Sequence, residues 1–151
     1  MKQKFWIPWV GLATLLLLSP TPARSGDIGD VVITLERTRC FGTCPVYRLT
    51  IYGDGKVVYQ GEDFVKVKGT QTAHMVREKV EGLVNEFDKV RFFSLQDRYT
   101  GSVTDLPTTI TSITIHGKTK TVRNYFGAPK ELIALEEKID ETTHSKQWVG
   151  D

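Results

Sequence analysis

From Val31 to Arg37 apolar and polar side chains alternate, with Val31, Ile33 and Leu35 in one phase. A period of two predicts a half-buried strand. Two further β-rich runs, Val46 to Tyr52 and Lys56 to Gln60, flank Gly53-Asp54-Gly55. Asp-Gly predicts a hairpin turn centred on Asp54-Gly55, because a type I′ turn needs positive φ at both central positions. That centring sets Ile51 opposite Val58 and Tyr52 opposite Val57, apolar against apolar. Phe64, Val65 and Val67 suggest one more short strand before Gly69.

The period then changes. Val76, Val80, Leu83, Val84, Phe87 and Val90 make one continuous helical stripe, while Arg77, Glu78, Glu81 and Glu86 fall off it. A helix from about Thr72 to Val90 is expected, packed on the sheet along that stripe. Phe92, Phe93 and Leu95 are expected at the edge of the same core. Gln96 to Pro107 is polar and turn-rich, a 12-residue loop. Connections that long are often functional. Thr108 to His116 and Thr119 to Phe126 read as a second hairpin turning at Gly117-Lys118. A type II′ turn there places Ile113 opposite Val122. Pro129 and Glu131 suit the opening of a second helix, with Leu132, Leu135 and Ile139 as its stripe. It should end near Thr142, with Trp148 folding back.

Hairpins followed by helices predict an α+β fold: an antiparallel sheet of two hairpins plus an N-terminal strand, with two helices packed on one face. Both halves run hairpin-then-helix, but no residue-level repeat accompanies that order. The 151 residues suit one domain. A hydrophobic fraction of 40% and a charged fraction of 25% are those of a globular chain rather than a disordered one.

The first 25 residues stand apart. Lys2 and Lys4 precede an apolar run from Trp6 to Leu18, and Ser19-Pro20-Thr21-Pro22 leads to small residues at Ala23 and Ser25. This is the layout of a secretory signal peptide, with cleavage expected after Ala23 or Ser25. The run of 13 residues, broken by Pro8 and Gly11, is short of the roughly 20 that span a bilayer. Residues 26–151 are then the mature domain. Losing Lys2, Lys4 and Arg24 leaves 17 basic against 18 acidic side chains, so the net charge of +2 becomes −1. Such a domain lacks the basic footprint of a nucleic-acid binder.

Cys40 and Cys44 are the two cysteines of the chain. In an oxidising compartment an isolated close pair becomes a disulfide, with Gly42 easing the turn. Cys-x3-Cys-Pro with a distant His also resembles the Cu(I) ligand set of copper-delivery proteins of the thioredoxin-fold assembly-factor type, which use a parallel βαβ frame. Redox catalysis normally has two intervening residues rather than three. His74 and Glu78, one helical turn apart, form a conceivable metal pair, or merely an exposed one. Ser94, Ser102 and Ser112 lie in no nucleophile-elbow pattern. Asp97 and Asp105 flank the long loop with Tyr99 between them, a candidate binding loop whose carboxylates could also do acid–base work. The threonines from Thr100 to Thr121 read as β-propensity and one wet sheet face.

The stretch from Cys44 to Gly61, CPVYRLTIYGDGKVVYQG, resembles the opening of the domain of unknown function 6438 family. Asp105 to Thr109 (DLPTT) and Gly117 to Lys120 (GKTK) resemble two later segments of that family, in the same order. The resemblance implies a bacterial, often exported module and carries no known activity. The reading that results is an exported, non-enzymatic module of the cell envelope. It would bind a protein, an envelope component or a small ligand through its sheet face or the 96–107 loop, without a cofactor. The alternative is an envelope protein handling copper or thiols through Cys40 and Cys44, or an enzyme using the loop carboxylates.

Overall fold

A computed structural model describes residues 27–150. The two expected cleavage points lie outside the described residues. Seven strands, two longer helices and a short third one follow in chain order. Strand β1 (Val32–Arg37) is central. It pairs antiparallel with β2 (Val46–Tyr52) on one side and with β6 (Thr109–Ile115) on the other. The full order is β4-β3-β2-β1-β6-β7-β5, with β3 at Lys56–Asp63, β4 at Gly69–His74, β5 at Arg98–Tyr99 and β7 at Lys118–Asn124. Every neighbouring pair is antiparallel except β5 with β7, so the sheet is mixed. The fold is α+β, with that one parallel pair added to the expected antiparallel arrangement.

Both hairpin registers differ from expectation. In the first, Ile51 faces Val57 and Thr50 faces Val58. Gly55 alone of the turn has positive φ, its N–H bonds the Tyr52 carbonyl at 2.9 Å, and the loop is three residues, Gly53 to Gly55. A glycine in the left-handed region closing a three-residue loop is the next commonest hairpin after the two-residue kind. Burial explains the choice. With this register Leu49, Ile51, Val57 and Tyr59 all point into the core, whereas a one-residue slip would turn one strand's apolar set to solvent. In the second hairpin the turn is His116-Gly117, both with positive φ, and Thr111 rather than Ile113 faces Val122. The type I′ signature belongs to this turn.

Phe64, Val65 and Val67 form a bend rather than a strand, and the fourth strand is Gly69–His74. Helix α1 accordingly spans Arg77–Lys89 instead of starting near Thr72. Thr72, Ala73 and His74 pair with Val58, Val57 and Lys56, and this tertiary ladder overrides the local helical reading. Val76 is the residue before the first turn and stays exposed, while Val80, Leu83, Val84 and Phe87 are buried as the stripe predicted. Phe92 is buried in a single 3₁₀ turn, edge-on to Phe87 at 4.8 Å, but Phe93 is exposed.

The long connection is not structureless either. The N–H of Arg123 donates to the Asp97 carbonyl at 2.9 Å and that of Tyr125 to the Tyr99 carbonyl at 3.0 Å, which makes β5. Helix α2 (Lys130–Thr143) follows Pro129, and its Leu132, Leu135 and Ile139 join the α1 stripe in one core on one face of the sheet. The chain then turns at His144 into α3 (Lys146–Val149), and Trp148 folds back to stack on Tyr59 at 5.0 Å. Carbonyls of Trp148 and Val149 accept the N–H groups of Val67 and Lys66. That closes the β3–β4 bend against the α2–α3 corner.

Candidate functional site

Along β1 and the residue before it, positions 31, 33, 35 and 37 share the inward phase, and the last of them is Arg37. On β2 the inward phase brings Tyr47, and on α2 the stripe that carries Leu132, Leu135 and Ile139 also carries Glu136 and Asp140. The core face therefore ends in charge at one corner. There the Arg37 guanidinium grips Asp140, with Nη2 at 2.7 Å and Nε at 3.1 Å from Oδ2. The Tyr47 hydroxyl donates to Oδ1 at 2.7 Å, and so does the Ser145 hydroxyl, also at 2.7 Å. Arg37 further reaches the Tyr47 oxygen at 3.0 Å and the Thr109 hydroxyl at 3.2 Å. Two strands and the α2–α3 corner are joined through one carboxylate.

Burial sets the electrostatics of this cluster. Burial alone would lower the Arg37 pKa, but Asp140 and then Tyr47 outweigh it and hold it above its ordinary value. Burial first, then the Asp140 carboxylate, raise the Tyr47 phenol far above its ordinary value, so it remains a hydrogen-bond donor. Beside the cluster Glu136 is only 3% exposed. Its Oε2 accepts from the Asn124 amide at 2.9 Å, and the Thr111 hydroxyl lies 3.5 Å from Oε1. Desolvation lifts its pKa to about 7, against downward pulls from Asn124, Arg37 and Thr111. Among the described residues no buried side-chain nitrogen or oxygen lacks a partner.

A cavity of about 720 Å³ opens directly over the Arg37–Asp140 pair. Tyr47, Pro45 and Val149 contribute apolar surface, and Glu137, Glu141, His144 and Lys146 stand around it. An apolar hollow of this size with a few fixed polar groups is the usual form of a ligand site. Of its inner groups, both oxygens of Asp140 are engaged by donors, and Arg37 and Tyr47 are held firmly protonated.

Residues 31–143 match the family described as Domain of unknown function (DUF6438). The chain belongs to that family. No curated protein matches it. The DUF6438 match runs from the residue before β1 to the last residue of α2, so it contains Arg37, Tyr47, Glu136 and Asp140. It ends before Ser145 and α3, which complete the cavity in this member of the family.

The residues singled out from sequence fall elsewhere. Asp97 pairs with Lys120 and is mostly exposed, with its side chain 84% accessible. Tyr99 lies half-buried on β5, its hydroxyl 3.3 Å from the Gln96 N–H. Asp105 has positive φ and accepts from the Thr104 hydroxyl at 3.2 Å. No hydrogen bond or ion pair joins these three side chains to one another among the described residues. His74 is on β4 and Glu78 on α1, so the helical i,i+4 geometry expected of that pair is not formed. Among the described residues no group of three or more His, Cys, Asp or Glu side chains could hold a metal ion.

Cys40 and Cys44 are joined, with Cα atoms 5.8 Å apart. A disulfide presents no thiolate to Cu(I). The bridged loop leads into β2 immediately before Pro45 and Tyr47, and so fixes one wall of the cavity. Arg37, Tyr47 and Asp140 form no local motif, and their signal in the sequence is polar or charged residues in phase with a buried stripe.

Proposed function

We propose that this protein is an exported, non-enzymatic binding module of the cell envelope, whose ligand site is the cavity over the Arg37–Asp140 pair. The observation that carries the reading is the combination of an apolar hollow with a saturated polar floor. Such a floor costs little to keep preorganised and selects by shape and by hydrogen bonding. Acidic Glu137 and Glu141 and basic Lys146 at the rim suit a ligand with an apolar body and a polar or zwitterionic head. A small envelope component or one side chain of an envelope protein has that form. Export rests on the Lys2/Lys4 segment with its short apolar run, and the Cys40–Cys44 bond fits the same compartment. Among the described residues no helix is long and apolar enough to cross a membrane.

The test is a thermal-shift screen of fractionated envelope extract against the purified chain and its Gln147→Trp variant. Gln147 is exposed and lines the cavity, so an indole there fills the space while sparing the core. Fractions that raise the wild-type midpoint should not raise that of the variant. Equal responses would place binding elsewhere. Intact-mass measurement of chain recovered from a secreting host should show loss of 23 or 25 residues, and full-length protein retained in the membrane would refute export.

A further inference from the structure

The two edges of the sheet are built differently. One ends in β5, a two-residue strand (Arg98–Tyr99) that leaves little ladder to extend. The other ends in β4, Gly69–His74, six residues that pair with β3 without a bulge. Sheet edges are normally blunted by lysine, proline, bulges or shortness, because unpaired backbone groups recruit another strand. β4 reads Gly-Thr-Gln-Thr-Ala-His, with no proline and no Lys, Arg, Asp or Glu, and all but Ala73 of it is exposed.

The hydrogen-bond phase shows which backbone groups are open. The Met75 N–H donates to the Gly55 carbonyl at 2.9 Å, opposite it in the β3–β4 register. In an antiparallel ladder bonded pairs alternate, so Ala73, Gln71 and Gly69 also bond inward. Thr70, Thr72 and His74 then direct their N–H and C=O groups away from β3, into solvent. Three outward residues at a spacing of two, centred on Thr72, are self-complementary about a two-fold axis. Thr72 meets Thr72 of a second copy, Thr70 meets its His74, and every outward donor finds an acceptor. The flanking Lys68 would face Val76 in that register, so no like charges oppose one another. Thr–Thr neighbours across a ladder are favourable.

We propose that β4 is a dimerisation edge, through which two copies of this chain join their sheets antiparallel with Thr72 on the two-fold axis. None of Thr70, Thr72 and His74 lines the cavity over the Arg37–Asp140 pair. The occupant is a second copy rather than a foreign strand because an uncharged edge whose open groups pair with their own sequence needs no other partner. Sedimentation of the purified chain from micromolar to near-millimolar concentration should show conversion to twice the monomer mass. Amide exchange at Thr70, Thr72 and His74 should slow in the same range. Thr72→Lys and Thr72→Glu each set like charges against themselves and should each be monomeric with an unchanged circular dichroism spectrum. Mixed one to one, they should again form the double-mass species. Wild-type chain that stays monomeric throughout, association undiminished in Thr72→Lys, or dimers whose β4 amides exchange freely would each overturn the proposal.

Discussion

Asp140 accepts hydrogen bonds from Arg37, Tyr47 and Ser145 and thereby ties β1, β2 and the α2–α3 corner together. Its removal strands a partly buried guanidinium, which is the costly way to break an ion pair. Asp140→Ala is expected to lose about 3 kcal/mol in urea unfolding, and Tyr47→Phe, which removes one donor, about 1 kcal/mol. Equal losses would mean that the carboxylate is not the hub. Glu136 makes a pH-dependent claim. Its folded pKa of about 7 lies above the ordinary 4.5, so the folded state holds the proton longer than the unfolded chain does. The stabilisation is fully present below pH 4.5 and is lost as pH rises to about 7. The loss is on the order of 3 kcal/mol. Glu136→Gln puts an uncharged amide in the same space and should flatten that decline, leaving the variant the more stable chain at pH 8. Parallel pH profiles of the two proteins would contradict the assignment.

At the scale of elements, periodicity located β1, β2, α1 and α2, because each buries one face and the burial leaves a stripe in the sequence. Leu83→Ala should cost roughly 2–5 kcal/mol, and Glu81→Ala, which breaks only the surface pair with Arg77, no more than about 0.5 kcal/mol. Similar costs at the two positions would mean that the helix is rotated. What local pattern did not reveal was pairing. β4 carries no apolar stripe, since its side chains are mostly in solvent, and only its ladder with β3 makes it a strand. The first turn centre differs for a related reason: turn residues allow more than one loop length, and the burial of Leu49, Ile51, Val57 and Tyr59 selects the three-residue one. The second loop keeps two residues and lies one position earlier, at His116-Gly117. The candidate site is not legible as a local motif because its residues come from positions 37, 47, 136 and 140 and meet only in the fold, whereas the two carboxylates of the 96–107 loop are close in sequence. Arg37 in phase with Val31, Ile33 and Leu35 was the legible clue.

For the whole molecule, one sheet with helices on a single face places the cavity where the disulfide loop, the end of β1 and the α2–α3 corner converge. The aromatic series Tyr47, Tyr59 and Trp148, with ring centres 5.9 and 5.0 Å apart, continues from the cavity wall into the core, so the site rests on packed, buried rings. The 96–107 segment is held by β5 and by the Asp97–Lys120 pair, and the hollow of about 360 Å³ that it borders is lined by Arg98, Thr100, Thr108, Arg123 and Tyr125 and not by Asp97 or Asp105. The measurement that bears most directly on this account is backbone amide shift mapping by ¹⁵N–¹H correlation spectra, during titration with the ligand fractions that raise the melting midpoint. The account predicts shifts concentrated at Tyr47, His144, Gln147 and Val149, with the Asp97 to Asp105 amides unmoved. Shifts centred on Asp97, Tyr99 and Asp105, with the cavity residues unmoved, would contradict it.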